Sequence, residues 1–163
     1  MDNNDFLKEL GYLGFTVRLK RLSDAMMHDG RRMYSELDVD IEPNWFVIFK
    51  LLNSRGQMTV MEISESIMMA HPSVIAITNK MIDKGYLISE KDKTDSRKRV
   101  LELSDRAIKM LPEYEKIWKA GENGIEKALF GLDALDLIAT LEKKYFNKGF
   151  AERTIKQLKT KKS

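Results

Sequence analysis

Two strand-like runs separated by a short polar turn sit in the middle of this chain, directly after a helix-ending glycine. The first run is Tyr86-Leu87-Ile88-Ser89-Glu90-Lys91, the turn is Asp92-Lys93-Thr94, and the second is Asp95-Ser96-Arg97-Lys98-Arg99-Val100-Leu101-Glu102-Leu103-Ser104. Such a pair predicts a hairpin finger with a basic tip. Because it follows two short helices, it restricts the fold to a helical chain carrying one small sheet: mainly α with a β-hairpin, in the α+β class. A cationic finger beside a helix pair is a device for gripping DNA.

Composition narrows the function. The chain has 163 residues, 33% of them charged and 43% hydrophobic, which suits one globular domain. Net charge is only +3, so an argument for nucleic-acid binding has to rest on where the cations lie. There is no cysteine, which excludes disulfides, thiolate sensing and Cys-ligated zinc. With only two histidines, His28 and His71, no metal site and no cofactor is expected. The polar start Met1-Asp2-Asn3-Asn4-Asp5 lacks a signal core, and no run approaches the roughly 18 apolar residues of a membrane span. A cytoplasmic chain without a membrane partner is the expectation.

The proline-free stretch from Phe6 to Leu37 carries Leu10, Leu13, Val17, Leu22, Ala25, Met26 and Met33 near helical spacing, predicting one long helix with a bend at Gly30. Pro43 then opens a second helix, Asn44 to Leu52, apolar on nearly every side and therefore central. Trp45 and Phe49 are expected in its core packing, with ligand contact as the alternative.

Thr59 and Glu62 have the spacing of a capping box, starting a helix with Val60, Ile63 and Ile67 on one face. A second start follows at His71-Pro72, where a proline lacking its N–H costs nothing. That helix, Pro72 to Lys84, packs through Val74, Ile77, Thr78 and Met81, and Gly85 stops it. Ser73, Ile75, Ala76, Asn79, Lys80 and Asp83 then face outward. Two short helices with a small, polar outer face on the second predict a helix-turn-helix.

These residues resemble the MarR (multiple-antibiotic-resistance regulator) family of winged-helix transcriptional regulators. The resemblance runs through Thr59-Val60-Met61-Glu62-Ile63-Ser64, His71-Pro72-Ser73-Val74, Lys84-Gly85-Tyr86-Leu87-Ile88, Asp95-Ser96-Arg97 and Val100-Leu101-Glu102-Leu103-Ser104. Arg18-Leu19-Lys20-Arg21-Leu22-Ser23 and Glu42-Pro43-Asn44-Trp45-Phe46 look like a subgroup sometimes fused to an acetyltransferase domain, for which this chain leaves no room. There are departures. Met68 and Met69 stand where many relatives have a glycine and an apolar residue, and Ala70 stands at a position often filled by a capping Ser or Thr. Ile75 and Ala76 replace a frequent Thr and Arg, which implies fewer charged base contacts.

The resemblance implies a DNA-binding regulator with a helix in the major groove and a wing in the minor groove. Ser73 can donate to a phosphate or base edge, Ile75 and Ala76 can rest on a thymine methyl, and Asn79 can pair with adenine. Lys80 can reach a phosphate; His71 and the capping Thr59 complete the set on this face. On the wing, the family places an Arg in the minor groove held by its own Asp, which here are Arg97 and Asp95. Lys98 and Arg99 are further phosphate contacts, or simply a solvated hairpin. The family also takes small aromatic or anionic effectors, for which Met27, His28, Arg31, Trp45 and Phe49 are the candidate lining.

Ser104 starts a further helix that Pro112 is expected to kink, and Gly131-Leu132-Asp133 separates it from a last helix with Leu135, Ile138, Leu141 and Tyr145. Lys156 to Lys162 is expected to fray. The division predicted is a winged helix over 41–104 and helical dimerisation segments over 1–40 and 105–163, within one domain. The terminal helices carry more apolar surface than a lone winged helix covers, so a two-fold homodimer on a pseudo-palindromic operator follows. No nucleophile elbow, phosphate-binding glycine loop or acid–base pair suggests an enzyme. The competing class is a winged-helix module that binds protein instead of DNA, for which Ile75 and Ala76 speak and Arg97 to Arg99 do not.

Overall fold

The structure, a computed structural model, describes residues 5–91 and 99–160. In chain order the helices are α1 (Phe6–Glu9), α2 (Phe15–Glu36), α3 (Phe46–Arg55), α4 (Val60–Ile67), α5 (His71–Asp83), α6 (Asp105–Ala128), α7 (Ala134–Asn147) and α8 (Phe150–Thr160). The strands are β1 (Met58–Thr59), β2 (Leu87–Lys91) and β3 (Arg99–Leu103), antiparallel in the order β1-β3-β2. The mainly α class with a small hairpin is therefore observed. The chain divides into two compact units, Met1–Tyr114 and Glu115–Ser163.

The first helix is not continuous. Gly11 adopts a φ of 54°, which no α-helix accepts, and a 3-10 turn over Gly11–Gly14 separates α1 from α2. Gly14 is buried, and a Cβ there would collide with the Leu7 carbonyl. Asp5 fastens this corner. It caps α1 by accepting from Leu7 N at 3.2 Å and takes both Arg21 nitrogens, at 2.7 and 3.1 Å. The Arg21 hydrogen bond holds the Asp5 carboxyl below its ordinary range, so this pair persists to pH values below that range. A bend is expected at Gly30, and α2 continues through that residue without a break. A Cβ at Gly30 would lie 2.9 Å from Cγ of Pro43, so this glycine admits the chain returning into α3.

The core of the first unit gathers around α3. Ile48, Phe49 and Leu52 are buried, as are Trp45 before them and Ile63, Val74, Met81, Tyr86, Leu101 and Tyr114 from the surrounding elements. Trp45 and Phe49 meet Tyr86 edge-on at 5.8 and 5.5 Å, and Phe49 meets Tyr114 at 5.7 Å. The helix begins two residues later than expected and continues to Arg55, where Gly56, at φ 76°, ends it. Strand β1, too short to read from the sequence, pairs Met58 with Leu101 and Thr59 with Val100, tying the start of α4 to the hairpin.

Helix α6 runs through Pro112 without interruption. Its proline removes the bond to the Ile108 carbonyl, but both residues are exposed, so water can take that place. In the second unit the expected single last helix is two, parted at Lys148-Gly149, and α8 continues to Thr160 instead of fraying from Lys156. Arg153 caps α7 from outside, donating to the carbonyls of Lys144 at 2.7 Å and Lys148 at 2.9 Å. Neither α7 nor α8 contains a buried residue.

Candidate nucleic-acid interface

The helix-turn-helix forms from local signals. Thr59 accepts from Glu62 N at 3.2 Å while the Glu62 carboxylate takes Thr59 N at 2.7 Å, completing the capping box of α4. At the other end Met68 sits in the left-handed region, φ 51° and ψ 37°. Its N–H reaches Glu65 O at 3.4 Å and Met69 N reaches Ser64 O at 3.1 Å, the bond pattern for which a glycine is usual. The buried Ser64 hydroxyl donates to Met69 O at 2.6 Å and pins the turn. Turn geometry thus survives Met68 and Met69, at the cost of a left-handed methionine.

That cost is measurable. Met68 is 70% exposed, so its side chain adds little burial. Met68→Gly is expected to stabilise the fold by up to about 1 kcal/mol, the left-handed penalty of an L side chain less the entropy a glycine adds to the unfolded chain. Urea unfolding should show a higher midpoint with an unchanged slope. A lower midpoint would mean that the Met68 side chain holds the turn.

Helix α5 presents the expected faces. Val74, Ile77, Thr78 and Met81 are buried, while His71, Ser73, Ile75, Ala76, Asn79, Lys80 and Asp83 are exposed. It starts at His71 and, with Ala70 as its cap residue, has no side-chain cap. Its end is firmly set. Gly85, at φ 72°, sends its N–H to Ile82 O at 2.8 Å, and Tyr86 N reaches Met81 O at 2.8 Å.

Sequence reasoning missed what fixes α5 relative to the hairpin and to the first turns of α6. Arg106 donates to Lys84 O at 2.7 Å and lies over the Tyr86 ring at 4.5 Å. Here a cation meets a helix C-terminus, and the same side chain stacks on the first residue of the hairpin. The Tyr86 hydroxyl also meets Asp40 O at 3.2 Å and the Tyr114 hydroxyl at 3.1 Å. Burial, and then the Tyr86 hydrogen bond, push the Tyr114 phenol above its ordinary range, so it stays protonated. Ser104 does what its position suggested. It accepts from Ala107 N at 3.1 Å and donates to Gly85 O at 2.7 Å. An arginine two residues after a Ser cap was the available signal for Arg106, but only the fold brings it to Lys84.

In the hairpin, Lys91 pairs with Arg99 and Leu87 with Leu103. Arg99 and Lys91 are both exposed. Asp95, Arg97 and Lys98 lie outside the described residues. The five residues expected around an effector do not come together. Arg31 and Trp45 line an open cleft of about 540 Å³ with Tyr34, Ile41, Asp40 and Lys80. Phe49 is fully buried in the core; Met27 is half-buried and His28 exposed on α2, and none of the three lines the cleft. The cleft rim is ionic: Arg31 meets Glu42 at 3.1 Å and Lys84 meets Asp40 at 2.6 Å. Among the described residues no group of acidic and histidine side chains could hold a metal ion, and no helix is long and apolar enough to cross a membrane.

No family model matches the chain. A curated HTH-type transcriptional regulator of Bacillus subtilis, YkoM, is 25% identical over 135 residues, 82% of each chain. Among solved structures, the transcriptional repressor CouR bound to a 23-mer DNA duplex superposes with a TM-score of 0.62 at 19% identity, covering 83% of this chain and 95% of that one. A MarR protein from Peptoclostridium difficile does so with a TM-score of 0.63 at 22% identity, covering 86% and 91%. A three-stranded sheet closed by a hairpin, a capped helix pair ahead of it and agreement over most of each chain have one reading: this chain has the winged helix-turn-helix fold of the MarR-family regulators.

Proposed function

We propose that the chain is a sequence-specific, double-stranded DNA-binding transcriptional regulator that acts as a homodimer. The observation that carries this reading is the outer face of α5. Ser73, Ile75, Ala76, Asn79 and Lys80 stand exposed on a helix whose two ends are pinned, by Ser64 through the preceding turn and by Arg106 and Gly85. A rigid, small, mostly uncharged helix face is what major-groove reading requires. In this reading the hairpin sequence supplies the cations, with Arg97, Lys98 and Arg99 in the minor-groove and phosphate roles and Asp95 as the carboxylate that the family resemblance sets beside Arg97. Thr59 and His71, at the starts of α4 and α5, take backbone contacts in this reading. The relatives agree in kind: YkoM is described as a transcriptional regulator and CouR as a repressor seen on DNA. The cleft holding Arg31 and Trp45 is the place proposed for a small aromatic or anionic effector.

The test is selection of duplexes from a random pool by the intact chain. Enrichment of an inverted repeat with half-sites about one DNA turn, roughly 10 base pairs, apart is expected. One observation favours a second reading, a module that binds protein: Met61, Met69 and Ile75 are exposed apolar side chains on the helix pair. Salt separates the two. DNA binding should weaken steeply between about 50 and 200 mM salt, whereas an apolar protein contact should not. Failure to enrich any duplex sinks the regulator reading.

A further inference from the structure

We infer that this chain reads its half-site through thymine methyl groups, so that the centre of each half-site is a run of A·T pairs. The inference rests on the DNA-binding reading above and adds the identity of the bases.

It follows from which side chains α5 offers. From Ser73 to Asn79 the exposed residues are Ser73, Ile75, Ala76 and Asn79, with Ile75 at 37% exposure. None is an Arg or Lys, the side chains that take guanine O6 and N7. None is an Asp or Glu, which accept from cytosine N4. What remains is an amide suited to adenine N6 and N7, a hydroxyl without base preference, and two apolar groups in succession. Apolar groups in the major groove meet one feature that distinguishes a base, the C5 methyl of thymine. An Ile packed against the polar edge of a G·C pair would bury that edge without a partner, so apolar contact also discriminates against the alternatives.

Lys80, the nearest cation, is the residue assigned to a phosphate, at the edge of the reading face rather than over its bases. It lines the cleft with Asp40, Trp45 and Lys84, on the side of α5 turned to the segment between α2 and α3. The next charged residue, Asp83, lines the same cleft. The apolar character extends ahead of the helix, where Met69 is 37% exposed two residues before His71. Ile75 and Ala76 each neighbour Asn79 on the helix surface, at i,i+4 and i,i+3, so the three can meet a short run of base pairs.

The experiment uses the intact chain and a duplex enriched from the random pool, with each thymine replaced singly by deoxyuridine. That change removes one methyl and leaves the pairing edge intact. At two adjacent thymines per half-site, binding should weaken about fourfold per methyl removed. Elsewhere in the site the change should be neutral. In Ile75→Ala, whose side chain is half exposed and outside the core, the loss at one of these thymines should vanish while the other persists. Two outcomes overturn the inference while leaving the regulator reading standing: a selected site with G·C pairs at its centre, or tight binding unaffected by deoxyuridine at every position. Absence of binding to any duplex overturns both.

Discussion

Substituting Leu135→Asp together with Ile138→Asp is expected to convert a dimer into a monomer of 18.9 kDa and to weaken DNA binding by about 100-fold or more. The two side chains are 79% and 51% exposed on α7, so the charges disturb no packing within the chain. They fall instead on the surface that needs a partner. Phe146, Phe150, Ile155 and Leu158 are exposed on the same pair of helices, and neither helix buries a residue of its own. Exposed apolar side chains in such number on two helices are what an interface would cover. A two-fold partner made from the same surface is the economical cover, and a two-fold pair carries two copies of α5. The affinity loss follows from linkage: the second half-site is bound at high effective concentration only while the copies are joined. Light scattering reads the mass and a duplex titration the affinity. Deleting Asp133–Ser163 should act in the same direction. An intact chain that scatters as a monomer contradicts the proposed architecture directly.

Most of the central third was legible because its signals are local. The Thr59–Glu62 box, the stop at Gly85 and the buried set Val74, Ile77, Thr78 and Met81 each depend on neighbours within a few residues, and each stands in the structure as read. What the sequence hid has a different cause. The reason for Gly30 is Pro43, thirteen positions away in sequence and meaningful only after the chain folds back. Arg106 bridges α6 to the end of α5 across 22 positions, a contact no periodicity announces. Strand β1 is two residues long and exists only through β3.

That bridge bears on how the wing works. Tyr86 begins the hairpin and is held from four sides, by Trp45, Phe49, Tyr114 and Arg106. The start of the hairpin is thereby fixed to α5, the helix proposed to read bases. On the proposed function two tasks are separated, reading sequence through α5 and gaining affinity through the basic residues of the hairpin sequence.

Substitutions at the two places should therefore fail differently. Arg97→Ala removes a cation expected in a narrow, electronegative minor groove. Two wings act per dimer, and each cation withdrawn from the DNA lowers the logarithmic salt slope by about 0.9. The variant should bind cognate and scrambled duplexes alike more weakly, with a slope reduced by about two and its base preference kept. Asn79→Ala removes an amide exposed on α5 and proposed for adenine. It should cost roughly 1–3 kcal/mol on the cognate duplex, relax preference at one position per half-site and leave the salt slope unchanged. Far-ultraviolet circular dichroism should confirm that both fold as before. Titrations on both duplexes at several salt concentrations then give affinity, slope and preference together. If a folded Arg97→Ala variant keeps its affinity and slope, the hairpin does not touch DNA, and the exposed Met61, Met69 and Ile75 become the surface to explain as a protein contact.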